Sequence, residues 1–314
     1  MTLTKSAKSA ADSHAHSQND ESIQISFLST GTVQIRPSMR SQPISNRSVI
    51  MRRLRSFTDR AWTEPLPIGV FLISHPDGPI LFDTGESPHC NEPGFKPSWS
   101  LSNLVATTTI SQDEGIVSQL RRSGIEPSTL QAIVLSHLHG DHAGGLQELA
   151  EAAPDVPIYL SKEHWDAFGH SPTYAKIQGC HPGHWPKDFQ PRILERTDDP
   201  VGPWQQSSKI SRDGKIVAVD TPGHVPGHVS LVVYGHDATY LLAGDATYGL
   251  DLLDKEEPDG INDDPQTALE SLRLIKQFAR ETDLVVLPSH DRDVVRLLRD
   301  RIPYKPKDTL VDNV

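Results

Sequence analysis

The run His137-Leu138-His139-Gly140-Asp141-His142 contains four side chains that can bind a metal. Alternate side chains of an extended backbone point to the same side, so His137 and His139 can act together. Gly140 permits the tight turn that brings Asp141 and His142 back to them. Imidazole and carboxylate donors without thiolate favour zinc, with manganese, iron or cobalt as substitutes. This run therefore predicts a metal centre.

Four predicted strands each lead into a potential metal ligand. They are Gln131–Ser136 before His137, Lys215–Asp220 before His224, Thr239–Ala243 before Asp245, and Leu284–Leu287 before His290. Because strands of one sheet bring their end loops together, we expect these side chains to meet. With the rest of the histidine-rich run they make seven ligands, too many for one tetrahedral zinc. The set predicts two metals about 3.5–4 Å apart, bridged by a carboxylate and a hydroxide.

Strands and helices alternate along the chain that must hold this centre. Further strands are predicted at Ile23–Leu28, Ile68–Ser74, Pro79–Asp83 and Val156–Leu160, and helices at Gln112–Ser123, Gly145–Ala152 and Pro265–Arg280. Residues 86–111 and 162–203 show little periodicity and are predicted to be loop insertions. We therefore expect one α/β domain over residues 23–300, between a flexible N-terminal tail, residues 1–22, and a C-terminal tail, residues 301–314.

The composition restricts the class of protein. Two cysteines, Cys90 and Cys180, are too few for a disulfide framework and indicate a reducing compartment. The net charge of −11 disfavours a nucleic-acid partner, and no apolar stretch approaches the ~20 residues of a membrane span. Met1 to Glu21 lacks the apolar region of a secretory signal. We expect a cytoplasmic enzyme with a small-molecule partner and neither nucleic acid nor membrane; a monomer and a homodimer are both open.

A series of short motifs follows in order along the chain. They are Ile80-Leu81-Phe82-Asp83-Thr84-Gly85, Leu135-Ser136-His137-Leu138-His139-Gly140-Asp141-His142-Ala143-Gly144-Gly145, Thr221-Pro222-Gly223-His224, Gly244-Asp245 and Pro288-Ser289-His290-Asp291. Together they resemble the motifs of the metallo-β-lactamase superfamily, over about residues 23 to 292. The resemblance implies a single-domain α/β fold, a four-layer αββα sandwich.

Within that superfamily the chain is most similar to the N-acyl-homoserine lactonases, whose aspartate-x-x-tyrosine motif resembles Asp245-Ala246-Thr247-Tyr248. The resemblance implies that His137, His139 and His224 hold one metal, that Asp141, His142 and His290 hold the other, and that Asp245 bridges them. It also implies that Asp83 hydrogen-bonds to the ligand loop from behind, although an ordinary turn aspartate is the alternative. His228 competes with His224 for the ligand role.

The implied reaction is the hydrolysis of a lactone, either N-acyl-homoserine lactone-like or otherwise apolar or aromatic. A metal-bridging hydroxide would attack the ring carbonyl. Tyr248 would stabilise the oxyanion and Asp141 would pass a proton to the leaving alkoxide. The alternative for Tyr248 is a packed tyrosine without a catalytic role.

Several other functions use similar sites. Hydrolysis of a lactam, a cyclic amide, shares the attack but demands more of proton delivery. A thioesterase of the glyoxalase II type is less favoured because only 24 residues follow His290, too few for the helical domain of those enzymes. An iron-dependent persulfide dioxygenase needs one iron and not the full ligand set. A non-catalytic binding protein predicts a damaged ligand set.

The substrate pocket is expected in the two insertions. Phe95, Trp99, Trp165 and Trp185 would contact an apolar or aromatic part of the substrate. Ordinary packing or a dimer contact is the alternative for these side chains. The segment Cys180-His181-x-x-His184 offers a third metal site as a further alternative, which its single thiol disfavours.

Overall fold

A computed structural model describes residues 23–45, 48–95 and 102–307. The predicted N-terminal tail, residues 1–22, and Trp99 lie outside the described residues. The strands are β1 (Gln24–Ile35), β2 (Leu66–Ser74), β3 (Ile80–Phe82), β4 (Ala106–Thr109), β5 (Ala132–Val134), β6 (Ile158–Leu160), β7 (Arg192–Ile193), β8 (Ser208–Lys209), β9 (Ile216–Asp220), β10 (Val229–Tyr234), β11 (Thr239–Gly244) and β12 (Leu284–Pro288).

The helices lie between and after these strands. The α-helices are α1 (Pro37–Arg40), α2 (Val49–Thr58), α3 (Ser102–Val105), α4 (Ile116–Arg122), α5 (Gly140–Ala143), α6 (Leu146–Ala152), α7 (Lys162–Phe168), α8 (Pro172–Ile177), α9 (Leu250–Lys255), α10 (Pro265–Glu281) and α11 (Val294–Arg299). Short 3₁₀ turns occupy Gln112–Glu114, Pro127–Thr129 and Pro182–His184. No helix within the described ranges is both long and apolar enough to cross a membrane.

Two mixed sheets form the centre of the fold. The seven-stranded sheet has the order β4-β1-β2-β3-β5-β6-β7, and the five-stranded sheet has the order β12-β11-β10-β9-β8. Strands β2 and β3 form an antiparallel hairpin. Two parallel pairs matter for the site: β3 with β5, and β11 with β12. Parallel neighbours end at the same sheet edge, so their following loops come together.

Apolar residues on both faces of each sheet produce four layers. Successive strand residues point to opposite faces, and here both faces of each sheet are apolar. Phe71 and Val134 of one sheet pack between the sheets against Leu231 and Leu287 of the other. The opposite faces pack against helices, represented by Leu72 with Leu120, Leu146 and Phe168 on one side, and by Val232 with Leu272 and Ile275 on the other. The resulting order, helices, sheet, sheet, helices, confirms the predicted αββα sandwich.

The two segments expected to be irregular contain regular structure. Residues 86–111 include α3 and β4, and β4 pairs with β1 at the sheet edge. Residues 162–203 include α7, α8 and β7, and β7 pairs with β6. These elements are only two to seven residues long, too short for an amphipathic period to be visible in the sequence.

The C-terminal boundary predicted at residue 300 also falls short of the packed chain. Tyr304 is only 4% exposed, its N–H donates to the Leu284 carbonyl at 2.8 Å, and its hydroxyl donates to Asp254 Oδ1 at 2.8 Å. The described residues after 300 therefore continue the domain instead of forming a free tail. A single buried aromatic among polar residues gives no periodic signal, which is why the sequence did not show it.

We expect Tyr304→Ala to lower the free energy of unfolding by about 3–5 kcal/mol, because it leaves a cavity where an aromatic ring was buried. Tyr304→Phe removes only the hydrogen bond and should cost about 1 kcal/mol. Val295→Ala, at a position 55% exposed, is the control and should stay within about 0.5 kcal/mol. Urea denaturation measures all three. A Tyr304→Ala protein as stable as the control would show that this segment contributes no packing.

Candidate metal centre

The predicted ligands form one cluster at the edge where the sheet loops meet. Within the described part of the chain, three groups have ligand atoms that all lie within 4.8 Å of one another. They are His137, His139 and His224; His137, His142 and Asp245; and Asp141, His142 and His290. The first and third groups share no residue; the second shares His137 with the first and His142 with the third, and it adds Asp245. Two neighbouring metal ions need such an arrangement.

Strand ends position this cluster. Strand β5 leads into His137, and its parallel neighbour β3 leads into Asp83. In the other sheet, β11 leads into Asp245 and its parallel neighbour β12 into His290. The short helix α5 then turns Asp141 and His142 back toward the strand-end ligands. The fold therefore delivers ligands from both sheets to one place.

The imidazole rings face one another with nitrogen atoms in close approach. His137 Nε2 lies 2.9 Å from His139 Nδ1, which in turn lies 3.1 Å from His224 Nε2. On the other side of the cluster, His142 Nε2 lies 3.3 Å from His290 Nε2. These inner nitrogens are the atoms that would bind metal.

Each ring has its second nitrogen next to an oxygen atom. The outer pairs are His137 Nδ1 with Ser136 Oγ at 2.9 Å, His139 Nε2 with the Gln178 carbonyl at 2.8 Å, His142 Nδ1 with Asp83 Oδ2 at 2.8 Å, His224 Nδ1 with Asp259 Oδ2 at 3.1 Å, and His290 Nδ1 with the Pro67 carbonyl at 2.8 Å. Carbonyl and carboxylate oxygens only accept, and the Ser136 hydroxyl donates its own proton to Asp83, so the outer nitrogens carry the protons. The inner nitrogens then present lone pairs to one another.

This donor set fits divalent cations. Two lone pairs facing each other repel, so inner nitrogens only 2.9–3.3 Å apart need a proton or a metal cation between them. Asp245 Oδ1, moreover, is buried and has no hydrogen-bond partner of good geometry, although the Nε2 atoms of His142 and His290 lie 3.2 and 3.3 Å from it. A buried carboxylate oxygen without a donor is costly unless a cation compensates it. Both observations point to positive charge at the centre of the cluster.

Asp245 lies between the two ligand groups. Its Oδ1 is 3.2 Å from His142 Nε2 and 3.3 Å from His290 Nε2, and its Oδ2 is 3.5 Å from His224 Nε2. The Tyr248 hydroxyl donates to the same Oδ2 at 2.8 Å, and its ring stacks on His290. Thus one carboxylate reaches both groups, and a phenol O–H lies beside it.

The protonation of the cluster depends on burial and on the carboxylates. Burial holds the pKa of His137 well below its usual range and lowers the pKa of His139 to about 3. For His142, burial opposes the charge, but Asp245 and Asp83 outweigh it and raise the pKa. Burial and then Asp245 raise the pKa of Tyr248, so its hydroxyl keeps its proton at neutral pH. Although burial opposes it, Asp259 raises the pKa of His224 and Asp245 raises that of His290, so a cation entering the site would displace protons from His142, His224 and His290.

Asp83 lies behind the ligand loop. Its Oδ1 accepts the Ser136 N–H at 2.7 Å, and its Oδ2 accepts the Ser136 hydroxyl at 2.9 Å as well as His142 Nδ1–H. Its φ of 62° is in the left-handed region, which a non-glycine residue adopts at a cost. The three hydrogen bonds compensate for that strain and aim the carboxylate at His142.

Sequence reasoning missed the carboxylate behind His224. Asp259 is buried and lies 35 residues further along the chain, in the loop after α9. The buried Arg52 of α2 holds this loop, because its guanidinium donates to the carbonyls of Pro258 and Asp259 at 2.9 and 2.7 Å. Asp259 follows no predicted strand and lies among other acidic residues, so nothing in the sequence distinguished it.

Three other candidate ligands have different surroundings. His228 Nε2 accepts the backbone N–H of Asp245 at 3.1 Å, so its lone pair points away from the metal groups. Cys180 is completely buried, and burial raises the pKa of its thiol. His184 stacks on Phe95 with ring centroids 3.7 Å apart. None of these side chains belongs to a metal-capable group in the described ranges.

The predicted pocket aromatics divide into two kinds. Trp165 and Trp185 are each only 8% exposed and pack on one another in the helix-side core, with ring centroids 5.9 Å apart. They offer little surface to a substrate in this structure, and their role in a substrate pocket stays a prediction. Phe95 stacks on His184, which lies in the segment whose Cys180 pairs with His139. The apolar period of α7 turns Trp165 inward with Phe168.

Known proteins match the chain in sequence. The profile of the metallo-β-lactamase superfamily matches residues 63–290. An N-acyl homoserine lactonase of Bacillus thuringiensis is 32% identical over 229 residues, covering 72% of this chain and 82% of that protein. The N-acyl homoserine lactonase AttM of Rhizobium radiobacter is 28% identical over 241 residues, covering 73% and 83%.

Solved structures match the fold. An N-acyl homoserine lactone hydrolase with the product N-hexanoyl-L-homoserine bound at its catalytic metal centre has a TM-score of 0.67 at 24% identity, covering 88% of this chain and 95% of that one. The dizinc quorum-quenching lactonase AidC has a TM-score of 0.59 at 16% identity, covering 86% and 88%. By sequence profile, by relatives and by fold, the chain belongs to the metallo-β-lactamase superfamily.

Proposed function

We propose that this protein is a metal-dependent hydrolase that opens the ring of lactones, with N-acyl homoserine lactones as its substrate class. The observation that carries the proposal is the position of Asp245 between two ligand groups with the Tyr248 hydroxyl 2.8 Å from its Oδ2. The lactonase relatives at 32% and 28% identity support the choice of a cyclic ester.

Zinc is the metal we propose for both positions. The cluster consists of imidazole nitrogens and carboxylate oxygens, a donor set that suits zinc and leaves manganese, iron or cobalt as substitutes. His137, His139 and His224 would hold one ion, Asp141, His142 and His290 the other, and Asp245 would contact both. When bound, such ions polarise a carbonyl and lower the pKa of water, which supplies the nucleophile.

Two side chains would assist the reaction: Tyr248 would stabilise the oxyanion, and Asp141 would transfer the proton. Tyr248 keeps its phenol proton and is held in place by stacking on His290, so it can donate to the carbonyl oxygen as negative charge develops there. Asp141 is 27% exposed, whereas Asp245 is 2% exposed, so Asp141 can reach both bound substrate and solvent. It would carry a proton to the ring oxygen when the acyl C–O bond breaks.

The first test is acid release from lactones. Ring opening of an ester gives a carboxylic acid that ionises at neutral pH, so a pH indicator follows turnover. We expect activity on N-acyl homoserine lactones in the zinc-loaded protein and more than about 100-fold less in Asp245→Asn, since losing even an outer partner of a ligand costs 10- to 100-fold. Asp237→Asn, an exposed carboxylate 43% accessible on the β10–β11 turn, is the matched control.

Aromatic lactones and lactams belong in the same assay. Turnover of lactams alone would replace the proposed substrate class with cyclic amides at the same site. If no cyclic ester releases acid above the Asp245→Asn background, the proposed function is wrong.

A second test concerns the phenol. Tyr248→Phe keeps the ring on His290 but loses the O–H, and we expect kcat on lactones to fall about 10²–10³-fold with little change in KM, as for removal of an oxyanion donor. Metal content should equal that of the unaltered protein. Tyr240→Phe, a buried tyrosine in β11, is the control and should retain full activity. An unchanged kcat in Tyr248→Phe would remove Tyr248 from the mechanism.

A further inference from the structure

His164 joins two ligand loops without belonging to a ligand group. It is completely buried near the start of α7. The backbone N–H of Leu138, between His137 and His139, donates to His164 Nε2 at 3.0 Å. The other ring nitrogen, Nδ1, lies 2.8 Å from the carbonyl of Pro226, in the loop that carries His224. The His164 side chain thus connects the loop of His137 and His139 with the loop of His224.

The two contacts specify one form of the ring. A backbone N–H only donates, so Nε2 of His164 must present a lone pair, and a carbonyl only accepts, so Nδ1 must carry the proton. The neutral Nδ1–H imidazole satisfies both at once. Burial lowers the pKa of His164 to about 4, which agrees with a neutral ring at physiological pH.

The neighbourhood of His164 fixes its position from three sides. The Ser161 hydroxyl accepts the backbone N–H of His164 at 3.2 Å and donates to the carbonyl of Gly227. Gly227 has a φ of +66°, and a Cβ there would lie 2.5 Å from the backbone nitrogen of His164, so only glycine permits this approach. The ring also packs on Phe168, with centroids 4.7 Å apart.

We propose that His164 is a positioning residue that sets the distance between the His137–His139 loop and the His224 loop, and thereby the affinity of the first metal position. The inference rests on the proposed metal centre but not on the lactone substrate. Measurements of metal affinity test this inference directly, so they distinguish failure of the inference from failure of the proposed lactonase activity.

An isosteric pair of variants isolates the hydrogen bonds. His164→Gln retains an acceptor and a donor, whereas His164→Met has similar length, no donor and only a weakly accepting sulfur. We expect chelator competition to show about 10- to 100-fold weaker binding of one of two zinc ions in His164→Met, a smaller loss in His164→Gln, and an altered absorption spectrum of the cobalt-substituted protein. His75→Met, at a buried ring beyond the far end of β2, is the control and should bind both ions normally.

Two results would overturn this assignment. Equal zinc affinity in the Gln and Met variants would show that the hydrogen bonds are irrelevant. If His164→Met folds poorly, melting curves decide: an equal loss of melting temperature in the metal-free and zinc-loaded protein means that His164 serves packing alone.

Helix α2 has polar residues on its buried face and apolar residues on its exposed face. Arg52 and Ser56 face the protein and are completely buried, whereas Ile50, Leu54 and Phe57 are exposed, Ile50 by 78%. The spacing i, i+4, i+7 puts these three on one stripe of the helix. A surface helix ordinarily shows the reverse pattern, and an exposed apolar stripe marks a surface for binding.

The charge around this stripe indicates its partner. Residues 36–60 contain seven arginines and one acidic residue, Asp59, in a chain with a net charge of −11; of the arginines, Arg52 faces inward, and Arg40 and Arg53 pair with Asp251 and Asp263. Arg55 and Arg60 are exposed and form no salt bridge within the described ranges. An apolar stripe flanked by arginines is the pattern of helices that lie on anionic membranes. A two-fold contact between two copies would instead bring these arginines together, which costs free energy.

We infer that α2 docks this protein on an anionic lipid surface. The sequence-based expectation of no membrane partner considered only spanning segments, and a helix that lies in the interface does not need one. The inference is independent of the metal centre and of the substrate.

Vesicle co-sedimentation at low salt tests the inference. We expect binding to vesicles that contain phosphatidylserine and little binding to pure phosphatidylcholine. Arg55→Gln with Arg60→Gln should weaken partitioning about 10- to 30-fold, and Ile50→Ser with Leu54→Ser should abolish it. Val295→Ser, another exposed apolar position, is the control. Equal partitioning to both vesicle types, no partitioning, or a dimer that Ile50→Ser with Leu54→Ser converts to a monomer would each overturn it.

Discussion

The hydrogen bond on the outer nitrogen of each ligand histidine is the constraint on which the centre depends. It fixes which nitrogen carries the proton and so turns every lone pair inward. The fold must then supply an oxygen atom behind every ring. It does so with the first residues of β2 through the Pro67 carbonyl, with the end of α8 through the Gln178 carbonyl, and with the carboxylates of Asp83 and Asp259.

Turning every lone pair inward lowers the stability of the fold without metal. Aligned lone pairs and the partnerless Oδ1 of Asp245 are unfavourable inside a protein, where polar groups without partners are destabilising. Strained backbone adds to it at Asp83. Packed sheets on both sides hold the cluster in place, and cation binding would compensate the cost, so that metal affinity and folding stability are linked.

Much of the fold and most of the cluster could be predicted from the sequence, because both produce local signals. Strands such as β9 and β12 are continuous apolar runs, and the ligands follow them directly or lie within one six-residue run. The supporting oxygens produce no such signal. A backbone carbonyl, as at Pro67 or Gln178, is present at every residue, and only the tertiary fold decides which one is used. Helix α2 was not predicted because Arg52 faces inward, where a surface helix ordinarily has an apolar residue.

The origin of these supports distinguishes the two proposed metal positions. The rings of His142 and His290 are held by Asp83 and by Pro67, both at the ends of central strands. In contrast, His139 and His224 depend on Gln178, at the end of α8, and on Asp259, in a loop held by Arg52 from another helix. Segments outside the sheets open at lower free energy than central strands do. The position supplied by His137, His139 and His224 is therefore the one whose geometry the peripheral segments can alter. The fold thereby makes one metal position depend on loops and short helices, while the other stays fixed to the sheets.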